Sequence, residues 1–249
     1  MLKCCKRAEC IYFKEEIVLY QTNLAESVCR SEQIKVSTNK LAENVRRRKL
    51  YYFMKRIFDF TAALVALVFL SPLFLIISLI IFIDDPHGSP LFVQERVGKN
   101  NKIFRFYKFR TMVVNAEAML DTLQDQNEKD GPVFKIKNDP RITRIGGFLR
   151  RTSLDELPQL LNIIKGDMSV VGPRPALPKE VEQYSFFHSQ RLLVKPGLTC
   201  YWQASKNRDK ISFEDWMALD VKYIEEQCMS LDIKLIFKTI AAVFTCQGS

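Results

Sequence analysis

The stretch Phe60-Thr-Ala-Ala-Leu-Val-Ala-Leu-Val-Phe-Leu-Ser-Pro-Leu-Phe-Leu-Ile-Ile-Ser-Leu-Ile-Ile-Phe-Ile83 runs for 24 residues without a charge. At about 1.5 Å per residue, a helix of this length can cross a bilayer. Ser71-Pro72 stands in its middle. Pro72 lacks an N–H, its ring crowds the carbonyl of Val68 one turn back, and Ser71 can return a hydrogen bond to a freed carbonyl. Two readings follow: a kinked span, or a helix-break-helix that enters the membrane and leaves on the same side.

The flanks bear on that choice. Arg46-Arg47-Arg48-Lys49 and Lys55-Arg56 precede the run, and Arg96, Lys99, Lys102, Arg105, Lys108 and Arg110 follow it with Glu95 opposing them. Positive charge marks the cytoplasmic side of a membrane segment, so both flanks read as cytoplasmic and favour the re-entrant form. The run begins after about 59 residues and ends in Asp84-Asp85-Pro86 instead of a small-residue cleavage site, so it does not read as a signal peptide.

The 249 residues hold one such run, which leaves room for an anchor and a soluble domain and argues against a multi-span transporter. The organisation expected is an extension over 1–45, a basic flank and re-entrant helix over 46–85, and a cytoplasmic catalytic domain over 86–249. Seven cysteines without paired C-x-x-C spacing, and only two histidines, argue against a disulfide framework or a zinc site. A net charge of +9 suits contact with lipid headgroups, nucleotide phosphates or nucleic acid, without choosing among them.

Beyond the run, Pro90–Val97 and Lys102–Phe109 alternate as two strands joined by Gly98-Lys-Asn-Asn, a hairpin. Ala116 to about Lys129 reads as an amphipathic helix closed by Asp130-Gly131-Pro132. A further helix is expected from an N-cap at Ser153, with Glu156 three residues on, to a stop at Gly166. Phe213 to Gln227 and Asp232 to about Phe244 read as two more, the last apolar enough to lie on a membrane surface. The fold class expected is α+β and mostly helical, with a short β-hairpin and amphipathic interfacial helices.

Asp155-Glu156 follow Arg150-Arg151 and open the helix expected there, where unpaired N–H groups and the helix dipole favour negative charge. A carboxylate beside arginines can attack phosphorus while its neighbour holds a divalent cation. A capping box with surface arginines gives the same local pattern. Lys108, Arg110, Arg141, Arg144 and Arg174 add groups suited to phosphate, and Pro173 and Pro175 stiffen the backbone around Arg174.

Lys55-Arg-x-x-Asp59, Ser71-Pro72, Gln94-x-Arg96-x-Gly98, Lys108-Phe-Arg-Thr-Met112, Asp139-Pro-Arg-x-Thr143, Leu149-Arg-Arg-Thr-Ser-Leu-Asp-Glu-Leu-Pro-Gln159, Gly166-Asp-Met-Ser-Val-Val-Gly-Pro-Arg-Pro175 and Lys195-Pro-Gly-Leu-Thr199 occur in one order. With these, the chain from about Lys55 to Phe244 resembles the bacterial sugar transferases, monotopic phosphoglycosyl transferases that begin polyprenyl-linked glycans. The resemblance implies Asp155 as nucleophile on the β-phosphate of a UDP-sugar, with UMP released, and Glu156 as the residue associated with Mg²⁺. Polyprenyl (undecaprenyl) phosphate then takes the phosphosugar, and downstream glycosyltransferases take over the product. Lys108, Arg110, Arg141, Arg150, Arg174 and Arg208 become candidate substrate contacts. The resemblance also implies a re-entrant helix broken at Ser71-Pro72, and a catalytic domain among membrane lipids on the cytoplasmic face of the bacterial inner membrane.

One departure lies after Trp202-Gln203, where relatives often carry Gly-Arg and this chain has Ala204-Ser205-Lys206-Asn207-Arg208. Arg208 is the residue placed to substitute. The competing reading is a membrane-tethered basic module that binds nucleic acid or acidic lipid without turnover; the sequence carries no nucleic-acid reading motif.

Overall fold

The computed structural model describes residues 38–119, 121–128, 130–134, 136, 138–205 and 211–244. Residues 45 onward form one compact unit, Val45–Ser249, and the account below concerns that unit.

The apolar run lies inside a single helix, α1, Lys49–Asp84, which continues through Pro72 instead of dividing into two helices there. Ser71 Oγ donates to the Val68 carbonyl at 2.8 Å, supplying the bond that Pro72 cannot make. α1 is long and apolar enough to cross a membrane by length and composition. Its two faces differ. Lys55, Asp59, Ala63, Ile77 and Ile81 are buried, and Ala66, Leu70, Leu73 and Phe74 pack beside them, a spacing of three and four that forms one stripe. Phe53, Ile57, Val65, Val68, Phe69, Leu75, Leu79 and Ile83 are exposed on the other side.

The stripe is docked at both ends. Toward the start of α1, Arg56 donates to the carbonyls of Ile163 and Ile164 at 2.6 and 2.8 Å, and Asp59 accepts from the Val170 N–H at 3.1 Å. Toward its end, Ile77 and Ile81 pack with Phe109 and Leu149, and Asp85 just beyond it is paired with Arg110.

The expected hairpin is present as β1 (Leu91–Val97) and β2 (Ile103–Phe109), antiparallel, with Leu91 opposite Phe109 and Val97 opposite Ile103. Asn100 and Asn101 turn the loop in the left-handed region, which Asn adopts more readily than most residues. Phe104 and Phe106 of β2 pack with Ala63, while Phe109 packs with the later part of the stripe.

The helix expected over Ala116 to about Lys129 is absent from the described residues there: the segment is turns and a 3₁₀ stretch, Asp121–Gln126. Among the described residues only Ala116 and Leu123 are buried apolar residues in it, a sparse stripe for a helix. Thr122 Oγ1 also bonds the Met119 carbonyl at 2.8 Å, a local bond that competes with helical pairing.

The helix expected from Ser153 is also replaced. Helix α2, Arg144–Arg151, comes first, capped by Thr143 Oγ1 accepting from the Gly146 N–H. Ser153 is left-handed, with φ 56°, and offers no side-chain cap; a 3₁₀ turn, Leu154–Glu156, follows, and helix α3 begins at Gln159 and ends at Lys165. Pro158 explains the delay, because a helix started at Ser153 would put its ring against the carbonyl of Leu154. Gly166, φ 89°, ends α3 where expected.

A second sheet, unforeseen in sequence, pairs β3 (Ser169–Val171) and β4 (Gly197–Thr199) in parallel. Between them lie a short helix, α4, Pro178–Val181, and a 3₁₀ stretch, His188–Leu193. Helix α5, Phe213–Glu226, and helix α6, Met229–Phe244, match their expected positions closely. Asp232 of α6 accepts from Lys55 at 2.7 Å and from Tyr51 and Tyr223, each at 2.8 Å, tying α6 to α1. Ile233, Phe237 and Ile240 of α6 are exposed. The fold is α+β and mostly helical.

Gly197 sets the spacing of β3 and β4: a Cβ there would lie 2.1 Å from the Gly172 nitrogen. Gly197→Ala meets fixed backbone, so the expected loss is about 3 kcal/mol, at the upper end for overpacking. Thermal unfolding of the detergent-solubilised chain should fall by about 6 °C or more.

Candidate active site

Strand alternation places Phe104, Phe106 and Lys108 of β2 on one face, opposite Arg96, Gln94 and Phe92 of β1. Lys108 Nζ lies 3.8 Å from an Asp155 oxygen and 3.9 Å from a Glu156 oxygen. The amide of Asn162 on α3 fixes this register: it accepts from the Tyr107 N–H at 3.1 Å and donates to the Arg105 carbonyl at 2.6 Å. The strand that carries Lys108 is thereby clipped to the helix that follows the acidic turn.

Asp155 is 5 % exposed. Burial raises its pKa, partly offset by the charges of Lys108 and Arg150, while Glu156 pushes the same way as burial. Burial also lowers the pKa of Lys108 and of Arg150, against the attraction of Asp155. Glu156 is half-buried and receives a long contact, 3.4 Å, from the Gln203 amide.

A pocket beside this turn is lined by Arg96, Phe106, Lys108, Glu156, Gln159, Arg174, Pro175, Gly197 and Gln203. The Gly172-Pro-Arg-Pro loop enters it because several bonds draw it in. The Gly197 N–H donates to the Pro173 carbonyl at 2.9 Å, Arg191 to the Arg174 carbonyl at 2.8 Å, and Arg96 to the Pro175 carbonyl at 3.1 Å. The Arg174 guanidinium sits over the rings of Trp202 and Trp216, 5.6 and 5.9 Å from their centroids, which are themselves stacked at 4.8 Å.

The sequence matches the bacterial sugar transferase family over residues 50–246. The chain belongs to this family. It is 44 % identical over 195 residues to the galactosyl transferase CpsE of Streptococcus agalactiae serotype III (strain NEM316), covering 78 % of this chain and 43 % of that protein. It is 37 % identical over 238 residues to the undecaprenyl-phosphate galactose phosphotransferase of Salmonella typhimurium, covering 93 % of this chain and 48 % of that one. It is 43 % identical over 199 residues to the exopolysaccharide production protein ExoY of Rhizobium meliloti, covering 78 % and 87 % respectively. The chain thus matches about half the length of the first two proteins and most of the third.

Of the candidate residues in this sugar transferase chain, Lys108, Arg150, Arg174, Asp155 and Glu156 share one neighbourhood. Arg110 does not join them. It donates to the Asp85 carbonyl and pairs with the Asp85 carboxylate at 3.3 Å, closing the end of α1. Arg141 is held by Asp139 through two bonds, 2.9 and 2.6 Å, and by the Ala116 carbonyl at 3.3 Å. Arg208 lies outside the described residues. Ser71 and Pro72 are on α1, in the apolar run.

Arg96 enters the pocket without having been singled out, although Gln94-x-Arg96-x-Gly98 was a recognisable pattern. Buried, with Arg174 nearby, its pKa is lowered to about 10. Gln159 and Gln203 also line the pocket.

Among the described residues no cluster of three or more His, Cys, Asp or Glu side chains converges to enclose a metal ion. Mg²⁺ ordinarily takes one or two carboxylates, keeps several waters, and uses substrate phosphates for the rest. Asp155 and Glu156, with Glu156 held among the described residues only by contacts of 3.4 Å and longer, fit that kind of site.

The raised Asp155 pKa sets a pH dependence. Between the unfolded value of about 3.9 and the folded one, the folded chain keeps a proton that the unfolded chain has released. The stability contributed is therefore present at low pH and lost as pH rises through the folded pKa. Asp155→Asn should melt at or above the wild-type temperature at about pH 7.5, with the difference shrinking toward about pH 4.

Proposed function

We propose that this protein transfers a sugar 1-phosphate from a UDP-sugar to polyprenyl phosphate through a phosphosugar carried on Asp155. The observation that carries the reading is a buried carboxylate within 4 Å of Lys108, beside a pocket lined by Arg96 and Arg174. The printed names of relatives, an undecaprenyl-phosphate galactose phosphotransferase and an exopolysaccharide production protein, support the acceptor and the product class.

In the first step an Asp155 oxygen attacks the β-phosphorus as the bond from that phosphorus to the bridging oxygen breaks. UMP leaves with that oxygen, and the sugar phosphate remains as an acyl phosphate. In the second, an oxygen of polyprenyl phosphate attacks the same phosphorus and expels the carboxylate, giving polyprenyl-diphosphate sugar. Lys108 opposes the effect of burial on Asp155, favouring its ionised form, and offers positive charge to the transferring phosphoryl group. Arg174, held by Pro173 and Pro175 and by the tryptophan rings, offers a fork to a phosphate. Mg²⁺, held by Glu156 together with substrate phosphates, would neutralise charge developing on the phosphoryl oxygens.

The helix supports a re-entrant placement on the cytoplasmic face of the inner membrane. Asp59 and Ile81 are about 33 Å apart along a helical rise, close to the thickness of a bilayer core, yet both face the same domain. A straight crossing would require that domain to extend through the bilayer. Burial of the outward apolar face at one leaflet keeps Asp155 at the depth of a lipid phosphate.

UMP release from UDP-sugars by the purified chain, with undecaprenyl phosphate and Mg²⁺ present, tests the proposal. Asp155→Asn is expected to lose at least about 10³-fold in rate. Wild-type turnover by that variant, or no UMP from a full donor panel, would overturn it. Lys108→Met removes the charge that lowers the Asp155 pKa, so the acid limb of its kcat/KM profile should move to higher pH.

A further inference from the structure

A second cavity of about 160 Å³ lies at the basic start of α1, lined by Tyr52, Lys55, Arg56, Asp59, Lys99 and Lys195 with parts of β3 and α5. It shares no lining residue with the pocket beside Asp155. Its size is below the roughly 300 Å³ at which pockets for drug-sized ligands begin, so it suits a small group.

Its charge is unbalanced. Four cations line it against one carboxylate, Asp59, and that carboxylate is engaged by the Val170 N–H. Lys55 is neutralised by Asp232 at 2.7 Å, and Arg56 spends two donors on the end of α3. Lys99 and Lys195 have no ion pair among the described residues. Lys99 lies over the Tyr52 ring, 5.2 Å from its centroid. A Cβ built on Gly166 would sit 3.3 Å from an Arg56 nitrogen and 3.6 Å from Lys195 Nζ, so these two cations converge on the left-handed turn that ends α3. The cavity also adjoins the outward apolar face, where Phe53, Met54 and Ile57 are exposed on the same turns of α1.

We propose that this cavity is a second anion site that takes a phosphate group between Lys99, Lys195 and Arg56, separate from the catalytic pocket. Such an anion would relieve the repulsion among these cations: burial lowers the Lys195 pKa, Arg56 and Lys99 lower it further, and Asp59 and Asp167 offset only part of this. Two sources carry this chemistry, the headgroup of an anionic lipid at the apolar face and free phosphate.

The test uses the full chain in detergent with Lys108→Met, which weakens phosphate binding at the other pocket. Isothermal titration with inorganic phosphate should still show binding, weakened at least tenfold by Lys99→Ala with Lys195→Ala and retained by Lys195→Arg. Lys99→Ala alone, on an exposed loop, carries the test if the double variant does not fold by circular dichroism. Dihexanoyl phosphatidylglycerol below its micelle concentration forms the second arm. Competition with phosphate supports the site with a lipid headgroup as its occupant; phosphate binding without competition supports it with free phosphate. No binding in the Lys108→Met chain, or binding indifferent to Lys99 and Lys195, overturns the proposal.

Discussion

One helix touches the same domain near both of its ends, and much of the remaining geometry depends on that constraint. The stripe from Lys55 to Ile81 packs first on α3 and β3, then on Phe109 and α2. The strand beneath it, β2, serves both: Phe104, Phe106 and Phe109 hold the helix, and Lys108 reaches the acidic turn. Because one seven-residue strand does both, the height of Asp155 relative to the apolar face of α1 is fixed by the strand and not by a linker. Apolar contact carries this docking, while Lys55–Asp232 and Arg56 on the carbonyls of α3 set its register.

The acidic turn is the unfavourable part that the rest supports. A buried carboxylate loses hydration, and Lys108 at almost 4 Å with the charge of Arg150 returns only part of it, which is why the Asp155 pKa rises. The left-handed Ser153 adds a backbone cost of about 1–2 kcal/mol. It reverses the chain between α2 and α3 and turns Asp155 inward. Asn162 holds the opposing strand, and the contact of Gly172 with Gly197 leaves room for the loop that brings Arg174 in.

Much of this was legible in the residues. The hairpin announced itself by alternation around Gly98-Lys-Asn-Asn, Gly166 marked the end of α3, and the pattern over Phe213 to Gln227 marked α5. Ser71 bonds the carbonyl that Pro72 leaves open. Other parts were misread for definite reasons. Pro158 carries the signal that no helix runs from Ser153, and the capping pattern Ser153–Glu156 masked it. The pairing of β3 with β4 joins segments of three residues that are distant in sequence, so no local alternation reports it. α2, with glycines at two of its eight positions, has little propensity to advertise.

The arginines show where local pattern stops being informative. Arg110 and Arg141 stand in motifs as phosphate-like as those of Arg150 and Arg174, yet each has an acidic partner close by in the fold: Asp85 after α1, and Asp139 two residues upstream. Their positive charge is answered within the chain, and their work is to close a helix end and a turn. Arg96, Lys108 and Arg150 instead hold their protons less readily, first because they are buried and then because Arg174 lies near, with Asp155 and Glu156 among the nearby counter-charges. A folded chain accepts such an excess of cations only at a cost. That cost is recovered when an anion enters, so the distinction between answered and unanswered charge separates structural arginines from those that face a phosphate.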